Sequence, residues 1–416
     1  MMKPTALDPE RQKRDAINAT HDLMWPERVQ RWQEFGVELV IGERTGYKIK
    51  DLDGRGFWDV HLNGGTFNLG HRNPDLVESL VKAVEFYDIG NHHFSSPVRV
   101  DLAARLLETA PSLSRVIYGT SGSEAIDIAI KCARFATGRR KIASISQAYH
   151  GRTGLSGAAG NDASAAFFNS DRPDDFVKFD FNDPDSVRSV FAEHKLAAVL
   201  LEVIPATYGF PVPSSAFLDA IRDGCRNSGA LLIADEVQTG LMRSGSLWCS
   251  HALGLEPDLI VTSKGLSGGL YPIAAVIASE AASDWTAIDG WAHVSTFAGS
   301  EVGCEVARKV LSMTQQDDTV SRVRRNIAIL SEELGMLCER HAALQRVRQT
   351  GLIIGLETDR PDGGIELMRH LSESGVWAIF ANFDPKTLQF KPGLLLDEAD
   401  LADIFARLDA ALRRMG

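Results

Sequence analysis

Residues 231–266 constrain the fold more than any other part of the chain. They hold two apolar runs, Leu231-Leu232-Ile233-Ala234 and Leu259-Ile260-Val261. Both are short, contain β-branched residues and are bounded by polar or turn residues, the pattern of strands buried on both faces. The first run ends on Asp235 and Glu236, and the second is closed by Thr262-Ser263-Lys264-Gly265. In an open α/β sheet, ligands bind beyond the carboxyl ends of the strands, where this acid and this amine can face one molecule. Singly, each has an ordinary reading, a strand-end cap for Asp235 and a solvated charge for Lys264. The combination is the informative part.

The same grammar extends on both sides. Apolar runs at 116–118, 142–145, 197–201, 231–234, 259–261 and 274–277 alternate with helical patterns. Such alternation predicts an α/β fold with a mostly parallel sheet and helices on both faces. Ahead of it, residues 1 to about 35 read as a helical arm, irregular near Leu23-Met24-Trp25-Pro26. Strands are expected at 38–41 and 46–51, with Asp53-Gly54 as a hairpin signal. A helix near 306–315 leads out of the sheet region. Helical patterns at 320–341, 364–374 and 398–413 then surround short strands near 347–357, 377–380 and 388–390, a small α+β domain. The expected division is an N-terminal arm and small-domain segment (1–60), a large cofactor-binding domain (61–305) and a C-terminal small domain (306–416).

A length of 416 residues exceeds one compact core. A net charge of -11 argues against a nucleic-acid surface, which needs a basic face. Cys132, Cys225, Cys249, Cys304 and Cys338 form no C-x-x-C and have no histidine spacing suited to zinc, so no metal is expected. They read as reduced thiols in a cytoplasmic protein. The polar first residues lack a signal-peptide core, and no uncharged apolar run reaches membrane-span length.

A second constellation is Gly119-Thr120-Ser121-Gly122-Ser123-Glu124-Ala125. It opens a helix whose apolar side carries Ile126, Ala129, Ile130 and Ala133. A Gly/Ser turn into a helix offers free N–H groups and a positive dipole end to a phosphate. It is not a P-loop, because G-x-x-x-x-G-K-[ST] is absent. By itself the turn reads first as an ordinary Ser N-cap with a glycine turn. An acid near a ring nitrogen and a lysine near an aldehyde are what pyridoxal 5′-phosphate requires.

Ile233-Ala234-Asp235-Glu236-Val237-Gln238-Thr239-Gly240, the later Ser263-Lys264-Gly265, the Ser121–Ala125 turn and Thr296-Phe297-Ala298-Gly299 resemble the class III aminotransferases of fold type I, as does the segment 58–84. The matches follow the family's order from about residue 38 to about residue 400. The resemblance implies a large domain with a mostly parallel seven-stranded-type sheet plus a small α+β domain. It implies that Lys264 forms the resting Schiff base and then carries protons, while Asp235 holds the pyridine nitrogen protonated. Ser121, Gly122 and Ser123 would hold the phosphate. Tyr149, followed by His150, would cover one ring face and Val237 the other, Gln238 would bond the phenolic oxygen, and Glu202 stands where the family has a strand-end Glu. Thr296 would reach the phosphate of a neighbouring subunit, so a homodimer with shared active sites is implied. The substrates implied are an amine or amino acid and a 2-oxo acid or aldehyde.

The chain departs from the family at the substrate end. Many members carry R-x-x-P-P-L near the C-terminus, where Arg pairs with a substrate carboxylate. Here the run is Gln389-Phe390-Lys391-Pro392-Gly393-Leu394, and the Glu that some members pair with that Arg is replaced by Thr207. Lys391 offers a substitute cation without the fork geometry of Arg. The expectation is weaker selection for an α-carboxylate, with Trp25 and its neighbours forming a pocket wall suited to a less polar or ω-amine donor. The losses also leave an aminomutase or an amino-acid or lactam racemase as alternatives. A non-catalytic cofactor-binding regulator is a further alternative, but it would need a DNA-binding module, and none is visible.

Overall fold

The computed structural model describes residues 8–416, so the first seven residues of the expected arm lie outside the described range. Helices Pro9–Leu23 and Pro26–Glu34 are separated at Met24 and Trp25. Proline occupies the first turn of each, where its missing N–H costs nothing. Three antiparallel strands follow: β1 (Ile41–Thr45), β2 (Lys48–Asp51) and β3 (Gly56–Asp59). In β2, Ile49 and Asp51 point inward and Lys48 and Lys50 outward, the two-residue period of a half-buried strand. The strand expected at 38–41 begins only at Ile41. Val40 bonds outside the ladder, donating to Asp51 Oδ1 at 2.9 Å and accepting from Leu52 N–H at 3.0 Å.

The apolar runs of the middle of the chain form one sheet of β4 (Arg115–Gly119), β5 (Lys141–Ile145), β6 (Phe176–Phe179), β7 (Leu196–Glu202), β8 (Leu231–Asp235), β9 (Leu259–Thr262) and β10 (Ala274–Ala278). Their order is β4-β10-β9-β8-β7-β5-β6. Only β10 runs antiparallel to its neighbours, so the sheet is mostly parallel and seven-stranded, as expected. Every residue of β7, β9 and β10 is buried. Along β7, Val199 and Leu201 enter the core on one face, while Ala198 and Leu200 enter the core on the other. Strand β6 was not expected, because Lys178 interrupts its apolar run. The lysine amine turns inward and donates to Ser144 Oγ and to the carbonyls of Ala159 and Gly160 at 2.6–2.9 Å.

The remaining strands are β11 (Leu344–Thr350), β12 (Ile353–Thr358), β13 (Val376–Trp377), β14 (Ile379–Ala381) and β15 (Asp384–Phe390). An antiparallel sheet runs β11-β12-β15-β14, and β13 pairs parallel with β3. The run expected as one strand near 347–357 is a hairpin that turns at Gly351. There φ is +63°, and a side-chain carbon would lie 2.2 Å from the Ser244 carbonyl carbon, so only glycine fits. Val37, Tyr47 and Trp58 from the start of the chain share one core with Leu330, Leu356, Phe390 and Leu412 from its end. No helix among the described residues is long and apolar enough to cross a membrane, and no His/Cys/Asp/Glu group there is arranged to hold a metal.

Candidate active site

The carboxyl ends of β7, β8 and β9 meet at one cavity of about 160 Å³, lined by Lys264, Asp235 and Glu202 among others. Glu202 and Asp235 are register partners on neighbouring strands, which sets the two carboxylates side by side. Glu236 is turned away from the cavity. Its Oε1 accepts the Ser250 N–H at 2.6 Å, and its Oε2 accepts the Thr239 hydroxyl. Successive residues at a strand end point to opposite faces, so only one of the two acids can serve the cavity.

Asp235 is held from two directions. Its Oδ2 lies 2.8 Å from His150 Nδ1, and its Oδ1 accepts the Val237 N–H at 3.1 Å. The other ring nitrogen of His150, Nε2, is buried without a hydrogen-bond partner among the described residues. Tyr149 donates its backbone N–H to Glu202 Oε1 at 2.7 Å, which ties the end of the β5 loop to the end of β7.

Lys264 is half-buried at the start of a short 3-10 turn, with φ +40°, in the left-handed region that non-glycine residues seldom occupy. Such strain costs about 1–3 kcal/mol and persists only where the surroundings hold it. Here Ser267 Oγ donates to the Lys264 carbonyl at 2.6 Å and Ser263 Oγ to the Ile273 carbonyl at 3.1 Å. Burial lowers the amine's pKa from its usual value, with the charges of Asp235 and Glu202 opposing the shift. Gly64 gives the side chain its room, since a carbon on Gly64 would lie 2.8 Å from Lys264 Cε.

Burial, and next the charge of Asp235, push Glu202 up to about 8. The native state then keeps a proton that the unfolded chain releases near 4.5, so this group's stability contribution is present below about pH 4.5 and fades as pH rises to about 8. Glu202→Gln removes that term. Melting curves of the cofactor-free protein from pH 5 to 8.5 are expected to fall less steeply for the variant than for the parent; parallel pH profiles would contradict this assignment.

At the end of β4, Ser121 caps the helix Gly122–Thr137, accepting the Glu124 N–H at 3.2 Å. Glu124 answers by accepting the N–H and hydroxyl of Thr120, both at 2.6 Å. These bonds fix the turn and leave its first N–H groups toward the cavity, which Ser121, Gly122 and Ser123 line. Val237 packs over Gly122: a carbon added there would meet both Val237 methyls at 3.4 Å.

Tyr149, His150, Val237 and Gln238 line the same cavity, as do Gly151, Ile204 and Thr239, which the sequence reading did not single out. Four of the expected residues are not brought there. Trp25 is 49% exposed and carries the Arg28 guanidinium 4.6 Å from its ring, so the expected pocket wall is not formed within one chain. Thr296 is exposed and lines no part of the cavity of its own chain. Thr207 and Gln389 also lie outside the lining, Gln389 being buried against Lys391. The missed partnership of His150 with Asp235 had no sequence signal, because 85 residues separate the two.

The sequence from 30 to 412 matches the family described as aminotransferase class-III. The chain belongs to this family. It is 41% identical over 403 residues to an uncharacterized aminotransferase of Archaeoglobus fulgidus, covering 97% of this chain and 95% of that one. It is 31% identical to the acetylornithine aminotransferase of Mycobacterium bovis, with 92% and 96% covered. In fold it is similar to an amine transaminase from an uncultivated Pseudomonas species, solved with pyridoxal phosphate bound (TM-score 0.83, 24% identity, 91% and 95% covered). That structure holds pyridoxal phosphate, the group the family resemblance implies here, and the cavity fits it on its own evidence. A turn at a helix N-terminus, a carboxylate held from two sides and a half-buried lysine in a glycine-cleared space converge there.

Proposed function

We propose that this cavity transfers an amino group from an amine or amino acid to a 2-oxo acid or aldehyde, with Lys264 as the catalytic amine. The observation that carries the reading is the convergence of Lys264, Asp235 and the Ser121–Gly122–Ser123 turn on one cavity. When bound, pyridoxal phosphate supplies a carbonyl that condenses with amines and a protonated ring that accepts the electron pair left at a substrate carbon. The Ser121, Gly122 and Ser123 turn binds the phosphate. Tyr149 and Val237 orient the ring from its two faces, and Gln238 bonds its phenolic oxygen. Asp235, kept in place by His150, holds the proton on the ring nitrogen. Glu202 fixes the Tyr149 backbone. Lys264 Nζ, whose lowered pKa favours the neutral amine, would take the proton from the substrate carbon and hold it for return.

The cheapest test is the half-reaction. Amine donor added alone should give pyridoxamine phosphate and a released oxo product. Substrate interconversion or racemisation without an oxo product would favour an aminomutase or racemase instead.

A homodimer with shared sites is part of the proposal, with Thr296 reaching the phosphate in the neighbouring subunit. Supporting it, Thr296 is exposed beside the exposed apolar residues Trp291, Val294 and Phe297. Mixing Lys264→Ala with Thr296→Ala should give hybrids in which one site carries both changes and the other neither, regaining up to half of one parental site's activity per dimer. No recovery from a verified subunit exchange would contradict sharing. We also infer that the described part of 1–60 and 306–416 form the small domain against 61–305, supported by the β3–β13 pairing. A cytoplasmic location is supported by five free cysteines.

A further inference from the structure

The residues that follow β3 take an unusual path. Leu62, Asn63, Gly64 and Gly65 all lie in the left-handed region, with φ at +51°, +47°, +72° and +96°. Glycine accepts that conformation freely and asparagine tolerates it, but a leucine adopts it only when it is held there. Two restraints hold it. The Leu62 side chain is fully buried in the core that also contains Tyr47, Trp58 and Leu356. Its backbone N–H donates to Asp59 Oδ1 at 2.7 Å, and the same oxygen accepts the His61 N–H at 3.0 Å. The second carboxylate oxygen, Oδ2, lies 2.8 Å from His71 Nε2. His71 is itself fixed. Its ring stacks on Phe67 with centroids 3.9 Å apart, and its backbone exchanges bonds with Gly46 at 2.6 and 3.1 Å. Asp59 and His71 are both buried, so the pair forms a clamp inside the protein.

Strained backbone persists where the surroundings over-determine it, and it gathers at functional sites. This turn lies directly on the turn of Lys264. A carbon added to Gly64 would meet Lys264 Cε at 2.8 Å, Lys264 Cδ at 3.3 Å and Gln238 Oε1 at 3.1 Å. From the other side, a carbon added to Gly265 would meet the Gly65 carbonyl oxygen at 3.2 Å and Asn68 Nδ2 at 2.8 Å. The two turns therefore touch through glycines, and the left-handed one roofs the stem of the amine. The charges that act on that amine are those of Asp235 and Glu202, so Asp59 bears on it through the turn.

We propose that Asp59, braced by His71, is a positioning residue for the reaction: it clamps the left-handed turn 62–65 against Lys264, which limits water at the amine and fixes its approach to the reacting carbon. The proposal rests on the reading of Lys264 as the catalytic amine. Opening the clamp lets the turn relax toward ordinary backbone, withdraws Gly64 from the lysine stem and admits water to Nζ. Water favours the charged amine, so the pH at which Nζ loses its proton should rise.

Two readouts separate the clamp from the reaction. In the full chain without cofactor, trace acetic anhydride labels Lys264 as the neutral amine, and mass mapping across the alkaline range gives the pH midpoint of Nζ. In the holoenzyme, the amine half-reaction gives kcat and KM. Asp59→Ala should raise the midpoint by about one pH unit, as burial of the charged form is partly relieved. It should lower kcat about 10- to 100-fold with KM within about threefold, because what is lost is aim. Asp59→Asn keeps an oxygen for the two N–H groups and an amide N–H for His71, so it should stay near the parent although the charge is gone. Asn63→Val disfavours left-handed backbone at an exposed position and leaves Asp59 intact. It should move both readouts in the same direction as Asp59→Ala, and it carries the test if Asp59→Ala does not fold. Adding Asn63→Gly to Asp59→Ala should recover part of each loss. Parental values in a folded Asp59→Ala or in Asn63→Val would overturn the assignment, as would an Asp59→Asn variant no better than Asp59→Ala. A parent that binds no pyridoxal phosphate would instead overturn the reading of the Lys264 cavity, while the labelling midpoints still decide the clamp.

Discussion

Lys264→Ala is expected to keep the fold and to bind pyridoxal phosphate, yet to turn over at least about 10⁴-fold more slowly. The size follows from what the side chain does: a positioned proton carrier contributes about 10²–10⁴ by itself, and here the same amine also makes the covalent link. The structure argues that the loss will be local. The left-handed backbone at residue 264 is held by Ser263 and Ser267 rather than by the lysine side chain. Alanine can occupy the space next to Gly64 without a clash. Retained circular dichroism and cofactor binding with activity near the parent's would reject Lys264 as the catalytic amine.

Asp235→Asn should leave cofactor bound while slowing the reaction about 10²–10³-fold, the usual loss when one preorganised charge facing a developing charge is removed. The variant keeps a side chain that can bond His150 and Val237, so the change isolates the charge. Asp235→Glu should be milder if the longer carboxylate still reaches the ring nitrogen. The check is single-turnover kinetics of the amine half-reaction. Near-parental rates in the Asn variant would mean that another group holds the ring proton.

What could be read in the sequence follows from burial. In strands such as β7, β8 and β9, whose interiors admit no charge, Glu202, Asp235 and Lys264 stand out at the ends, and the same burial fixes their shared side of the sheet. The Ser121 turn was legible because a cap, a glycine and an apolar helix face follow in a fixed spacing. Other features depend on contacts between distant segments. Strand β6 was hidden by a lysine whose burial only tertiary carbonyls make tolerable. The glycine at 64 matters because of a lysine 200 positions later. Trp25 and Thr296 were assigned to a site that one chain does not bring them to. Gln389 in β15 and Lys391 just beyond it form a bonded pair, which reading Gln389 alone as a lost arginine does not show.

The central claim is that Lys264 is the amine joined to the cofactor. Borohydride reduction of the holoenzyme, which should be yellow, followed by proteolysis and mass mapping, tests it directly. The absorption band should disappear and the phosphopyridoxyl group should be recovered on the peptide containing Thr262-Ser263-Lys264-Gly265. Stoichiometric recovery on Lys391, or on any lysine other than Lys264, would contradict it.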